Sequence, residues 1–136
     1  MESLKTRLQL RYLPPSANHI WRHTKRAGKP VTYTSKEYKT WLNAVSWLGR
    51  DNTIFSGNPE WDTPVYITIA MRRPRMNADI DNRIKPILDM LQRFKFIEND
   101  KLVEGVNAFW SRSLPETIAV DITITPASSP FSKEAA

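Results

Sequence analysis

The stretch VYITIAMRRPRMNADIDNRIKPILDM, residues 65–90, decides the fold. Its first seven residues are a nearly continuous run of β-branched and apolar side chains, which predicts a buried strand. A helix that closes near Arg93 is predicted from the helical spacing of Ile84, Ile87, Leu88 and Leu91. Residues 72–81 carry three arginines and two aspartates, and we call them the charged segment. They lie between the predicted strand and the predicted helix.

The residues before this stretch predict a strand and a helix separated by a less regular segment. Alternation of Leu8, Leu10 and Tyr12 with polar residues predicts a first strand, which ends at the prolines that follow. Residues 18–29 are typical of a loop or short hairpin that leads into a short strand at 31–33.

The first helix has a clear start and a clear apolar face. Thr34 and Glu37 have the spacing of a capping box, and the apolar side chains that follow recur at helical spacing until Gly49. The next segment, 52–64, is rich in Gly, Asn, Pro and Ser and predicts a loop.

After the second helix, residues 102–110 and 118–124 predict two further strands. We expect them to pair with each other as a hairpin through the turn at 114–116. The order of elements then predicts an α/β (α+β) fold, a mixed β-sheet with flanking helices.

The chain has 136 residues and a mass of 15.8 kDa, which suits one domain. We expect that domain to cover residues 1–125. The tail, residues 126–136, consists largely of Pro, Ser and Ala with little to bury, and we expect it to be mobile.

The composition excludes several classes of site. There is no cysteine, which excludes disulfides, thiolate zinc sites and a cysteine nucleophile, and two histidines are too few for most histidine metal sites. Any metal must therefore be bound by carboxylates. No apolar segment has the length of a membrane span, and the start of the chain lacks the apolar core of a signal peptide, so we expect a cytoplasmic protein with no membrane partner.

The charge is unevenly distributed along the chain. The net charge is +6, yet residues 1–40 alone carry nine basic and two acidic side chains, and the acidic residues concentrate between Asp79 and Glu104. A basic surface favours a polyanionic partner such as nucleic acid, although a charge run can also be no more than a solvated face. The sharper interpretation is a phosphate-binding surface beside a group of carboxylates.

Asp79 and Asp81 are two residues apart just before the second helix. In an extended backbone their carboxylates point to the same side and, at about 4 Å and an effective dielectric near 20, repel by roughly 4 kcal/mol. A divalent cation would relieve that repulsion. Asp81 could also simply cap the helix. A calcium loop is excluded, because Ile84 and Met90 stand where such a loop needs Gly and Glu.

Lys85 and Asp100 are ambiguous from local pattern alone. Lys85 follows Asp81 by one helical turn, although Pro86 disfavours helical geometry at Lys85, and a surface salt bridge with Asp81 or Asp89 is an equal alternative. Asp100 lies in a polar turn between apolar runs, where composition favours a plain turn residue.

The pattern D-I-D-N-x-x-K-x-x-x-D, followed after a helix by an aromatic and apolar pair and by N-D-x-x-V, resembles the RusA family of Holliday junction resolvases. Its residues here are Asp79, Ile80, Asp81, Asn82, Lys85, Asp89, Phe96, Ile97, Asn99, Asp100 and Val103. The early segment PPSAN, residues 14–18, is similar to the family's turn after its first strand. The resemblance extends to about Pro126.

The resemblance implies a homodimeric endonuclease that requires magnesium, or manganese in its place, and cleaves four-way DNA junctions in recombination and repair. It implies that Asp79, Asp81 and Asp100 bind the metal and that Lys85 is essential to cleavage. In the best-known form of the family the basic run reaches the first motif aspartate, whereas here Met76-Asn77-Ala78 intervene.

Basic side chains near these motifs are the candidates for holding the DNA backbone. They are Arg22, Lys25, Arg26, Lys29, Arg72, Arg73 and Arg75. Two other functions remain open: a non-catalytic nucleic-acid-binding module, and a metal nuclease for other branched DNA or for RNA.

Overall fold

A computed structural model describes residues 5–16, 21–26, 29–34, 36–45, 55–56 and 60–127, with the backbone alone for 21–26, 29–34 and 55–56. The strands are β1 (Thr6–Leu10), β2 (Trp21–Arg26), β3 (Lys29–Thr34), β4 (Phe55–Ser56), β5 (Val65–Met71), β6 (Val103–Trp110) and β7 (Val120–Pro126). The helices are α1 (Lys36–Val45) and α2 (Asp81–Arg93), and a short 3₁₀ turn covers Asp100–Leu102.

Five strands form one mixed sheet in the order β4-β1-β7-β5-β6, and β2 and β3 form a separate antiparallel hairpin. Within the larger sheet β5 and β6 are parallel, while β5 with β7 and β7 with β1 are antiparallel. The parallel pair is joined by α2, as a parallel connection requires a crossover. The α+β class with flanking helices is confirmed.

One face of the sheet carries the core. Along β5 every second residue is buried, from Val65 through Ile67 and Ile69 to Met71. The apolar faces of α1 and α2 pack into the same cluster of buried residues, as period-2 and period-3.6 patterns require when a sheet and helices share one core. Neither helix of the described chain is both long enough and apolar enough to cross a membrane.

The prediction that the last two strands pair as a hairpin is wrong. β5 lies between them, pairing in parallel with β6 and antiparallel with β7. The nine residues 111–119 provide enough chain to step across the width of one strand, about 4.8 Å on either side. β5 therefore has a hydrogen-bonded neighbour along both of its edges, and the fully buried side chains of its core face lie at the centre of the sheet.

Other boundaries also differ from the sequence prediction. β1 ends at Leu10 because the chain turns away there, and the carbonyl of Tyr12 accepts a hydrogen bond of 3.0 Å from Nε1 of Trp41. The predicted loop at 52–64 contains β4 and a bridge between Trp61 and Ile97. At the C-terminus β7 extends to Pro126, and the buried Ala127 donates a backbone hydrogen bond to Pro64; the rest of the predicted tail lies outside the described residues.

Helix α2 begins without a side-chain cap and ends in a left-handed turn. Its N-cap is Ile80, so Asp81 is the first helical residue and not the capping residue that the sequence allowed. Pro86 lies inside the helix without ending it. Lys95 has φ 63°, and the neighbouring amides close the helix onto carbonyls of its last turn, an arrangement usually served by glycine.

The sheet face opposite the core carries a charged pair that joins β1 to β7. Nε and Nη2 of Arg7 donate to the two carboxylate oxygens of Asp121 at 3.2 and 2.8 Å, and Nε2 of Gln9 adds a third bond at 3.2 Å. Burial acts to raise the pKa of Asp121, but the hydrogen bonds from Arg7 and Gln9 and the charge of Arg7 together lower it. The folded state therefore favours the ionised carboxylate.

We expect Asp121→Asn to lower the free energy of unfolding at pH 7 by about 1 kcal/mol. Because the folded pKa of Asp121 lies below its ordinary value of 3.8, the difference should be present above that pH and disappear as the pH falls through the folded pKa. Urea unfolding of both proteins at pH 7 and near pH 3 measures it. Asp62→Asn, at an exposed carboxylate, is the control; an Asp121 difference that stayed constant with pH would contradict this account.

Candidate active site and nucleic-acid interface

The charged segment predicted from sequence leaves the sheet at the end of β5 and enters α2. Its backbone is fixed at the start, where the amide of Arg72 donates to the carbonyl of Ala119 at 2.8 Å. Asp79 and Asp81 lie at its far end, Asp79 two residues before the first helical residue and Asp81 at that residue, and both are exposed. Both carboxylates are thus accessible to solvent and to a charged ligand.

Lys85 links the helix to the turn that precedes β6. Its Nζ is 3.0 Å from Oδ1 of Asp89, one turn further along α2, and 4.0 Å from Oδ2 of Asp100. The hydrogen bond and charge of Asp89, with a smaller contribution from Asp100, raise the pKa of Lys85. The side chain is therefore an ammonium at neutral pH, and the salt bridge to Asp89 that the sequence allowed is present.

The turn that carries Asp100 is held from two sides. The amide of Asp100 donates to Oε1 of Gln92 at 2.9 Å, and Oδ1 of Asn99 accepts from the amide of Lys101 at 2.9 Å. Just before this turn, the amide of Glu98 donates to the carbonyl of Trp61 at 2.8 Å. Asp100 is thus placed beside α2 by specific bonds, which composition alone did not indicate.

The donor chemistry of the three aspartates suits a hard divalent cation. Magnesium prefers carboxylate oxygens and is commonly bound by one or two of them together with water and substrate phosphate. Among the described residues, however, no three His, Cys, Asp or Glu side chains lie close enough together to hold a metal ion. The structure brings Asp100 to Lys85 and leaves Asp79 and Asp81 exposed at the helix start, so a site shared by all three stays a prediction.

The three arginines of the charged segment differ in their partners. Nη2 of Arg72 donates to the carbonyls of Leu114, Pro115 and Ile118, at 3.2 Å for the first and 3.1 Å for the last, and so fixes the turn before β7. Nη2 of Arg73 donates to the carbonyl of Met76 at 2.6 Å. Arg72 is therefore part of the framework as well as a surface charge.

Sequence reasoning missed Arg83, which lies inside the D-I-D-N-x-x-K motif. Its Nη1 donates to the carbonyl of Pro14 and ties the start of α2 to the turn after β1, while its buried Nε has no partner among the described residues. Burial, followed by the nearby charge of Arg75, lowers the pKa of Arg83. In the sequence, only its position inside the motif could have indicated that Arg83 has a role at the site.

A pocket of about 540 Å³ lies where the parallel strands β5 and β6 end. Most of the residues that line it were not predicted from the sequence as site residues. It is lined by Arg72, Arg73, Arg75, Met76, Trp110, Ser111 and Arg112. The guanidinium carbon of Arg73 lies 5.7 Å from the ring centroid of Trp110. No single local pattern could have indicated this pocket, because its two walls, residues 72–76 and 110–112, are far apart in the chain.

The remaining predicted DNA contacts lie on the separate hairpin. Arg22, Lys25 and Arg26 are in β2, and Lys29 begins β3, where it pairs with Arg26. Their side chains fall outside the described part of the structure, so their role in binding DNA stays a prediction.

A family model described as endodeoxyribonuclease RusA matches residues 12–125 of the chain. The matched range begins in the turn after β1 and ends within β7, so it includes every residue predicted for the site. A search of curated proteins found no match.

Proposed function

Because the chain belongs to the RusA family of endodeoxyribonucleases, we propose that it hydrolyses phosphodiester bonds at four-way DNA junctions, in DNA recombination and repair. The proposal rests on the charged side chains at the start of α2. Asp79 and Asp81 are exposed at its start, and the ammonium of Lys85 stands one turn further along, 4.0 Å from Asp100. The ammonium can contact a phosphate directly, whereas the carboxylates, which would repel a phosphate on their own, suit a divalent cation that binds one.

Magnesium, or manganese in its place, would be held by Asp79, Asp81 and Asp100. When bound, such an ion lowers the pKa of its water ligand and offsets negative charge on the phosphate oxygens. Asp100 is partly exposed, so its carboxylate is accessible to a metal ion. The hydrogen bond from its backbone amide to Gln92 fixes the position of its turn.

Lys85 contributes positive charge at the scissile phosphate. Its raised pKa keeps it protonated near neutral pH, which disfavours a role as general base. Asp89 at 3.0 Å holds the ammonium on the side of the helix that faces Asp100, and we propose that it positions Lys85 for its contact with the phosphate.

Substitution of the aspartates should separate cleavage from binding. Asp→Asn at position 79, 81 or 100 keeps the side-chain shape and removes the charge, so nicking of a four-way junction should fall by about a hundredfold or more while junction affinity stays the same or rises. Gel-shift and cleavage assays on one labelled junction measure both. Asp62→Asn, at an exposed carboxylate before β5, is the matched control. Full nicking activity in Asp81→Asn would refute the assignment.

Removal of Lys85 should affect cleavage more than affinity. Lys85→Ala deletes one of many contacts with phosphate, so junction affinity should fall by less than about tenfold, whereas the cleavage rate at saturating protein should fall much further. Lys101→Ala removes an exposed lysine next to Asp100 and provides the charge-matched control. Equal losses of affinity and cleavage in Lys85→Ala would make Lys85 a binding residue only.

We further propose that the working unit is a symmetric homodimer. A four-way junction has an approximate two-fold axis and needs one nick in each of two strands, while one chain carries a single set of the three aspartates. Sedimentation should give about twice 15.8 kDa. On a supercoiled plasmid with an extruded cruciform, linear product should form without accumulation of nicked circles. A monomer at micromolar concentration, or nicked circles released as free intermediates, would contradict the dimer.

A further inference from the structure

We propose that the pocket where β5 and β6 end binds a single unstacked nucleotide of the DNA substrate, with the base against the stacked side chains of Trp110 and Arg73 and the phosphate on Arg75 and Arg112. This inference rests on the proposed function, since it takes branched DNA as the substrate. It adds a substrate-binding site that is formed by two separate parts of the chain. The volume of about 540 Å³ lies within the usual range for pockets that take small organic ligands, about 300–1,000 Å³.

The aromatic wall is held in place before any ligand binds. Trp110 is half-buried and packs against the core, at the last position of β6. The guanidinium of Arg73 lies over its ring at 5.7 Å and is itself fixed by a 2.6 Å bond to the carbonyl of Met76. Indole rings and guanidinium planes are both side-chain surfaces on which unpaired bases stack.

The rest of the pocket lining carries the positive charges of Arg75 and Arg112, which no described acidic side chain pairs with. The side chains of Arg75 and Arg112 form no ion pair or hydrogen bond with another described residue, so their N–H groups are available to a ligand. None of the described residues that line the pocket is acidic. Arginine binds phosphate oxygens through two parallel N–H groups, and a pair of uncommitted arginines beside an aromatic face suits a ligand that has both an anion and a π surface.

That combination favours an unpaired nucleotide over intact duplex. Inside a duplex both faces of a base are covered by its neighbours, so only a base that has left the stack can use Trp110. The crossover of a branched DNA is where bases leave the stack most readily. Met76 in the pocket wall is three residues from Asp79, so their Cα atoms are at most about 11 Å apart. The nucleotide is therefore held next to the segment that carries the proposed cleavage site.

Photocrosslinking tests the contact directly. A four-way junction with 5-iododeoxyuridine at the crossover, irradiated with the full-length protein in EDTA, should crosslink to Trp110, as mapped by peptide sequencing. Trp110→Leu should abolish that crosslink and weaken junction binding by about tenfold, while Trp110→Phe, which keeps an aromatic face, should retain most of the affinity. Phe109→Leu removes the neighbouring aromatic side chain, 42% exposed and on the opposite face of the same strand, and should change neither.

The outcomes separate this inference from the proposed function. Crosslinks that map away from Trp110, together with unchanged junction affinity in Trp110→Leu, would overturn the nucleotide pocket even if magnesium-dependent cleavage is intact. A crosslink at Trp110 in a protein that never cleaves junctions would support the pocket and overturn the proposed function. If Trp110→Leu does not fold by circular dichroism, the crosslink map of the unmodified protein decides the question: a crosslink at Trp110 supports the pocket, and crosslinks elsewhere overturn it.

Discussion

The parallel pairing of β5 with β6 is the constraint on which the rest of the structure depends. A parallel pair needs a crossover, and α2 is that crossover, so the chain must leave the sheet after Met71 and return before Val103. The departure creates the charged segment with its two aspartates, and the return creates the turn with Asp100. Nζ of Lys85, in the first half of α2, lies 4.0 Å from a carboxylate oxygen of Asp100 in that turn. This contact joins the start of the crossover helix to the turn that follows it.

Elements with strong local patterns were predictable from the sequence, and non-local pairings were not. β5 has the predicted bounds because seven β-branched and apolar residues leave little choice of conformation. The hairpin of the last two strands failed because the pairing partner of a strand is decided by burial across the whole sheet. The two-residue strand β4 was missed, since a pair of residues within a polar loop has no period to detect.

The same division applies to the candidate site. Asp79 and Asp81 could be found from their spacing, whereas Asp100 stood out only through the family resemblance, because the bonds that place it come from Gln92 and from the distant Trp61. No local sequence pattern marks Trp110 as a site residue, because Arg73, its neighbour in the pocket, follows β5 whereas Trp110 ends β6.

Net charge alone overstates how many basic side chains are available to DNA. Arg7 is paired with Asp121, Arg72 holds three carbonyls, and Arg83 binds the turn after β1, so all three contribute to the framework. Arg75 and Arg112 are the arginines of the pocket that remain uncommitted among the described residues. Under the proposed function, a few arginines near the carboxylates bind phosphate, and the basic residues do not act as one uniform DNA-binding surface.

The most direct test of the central claim compares a labelled four-way junction with a duplex of the same arm sequence, each incubated with the purified protein in magnesium or in EDTA. The account predicts paired nicks in the junction with magnesium, no nicks in the duplex, and binding without cleavage in EDTA. Equal binding in magnesium and in EDTA with no nicking of either DNA would contradict it and would identify a non-catalytic nucleic-acid-binding module.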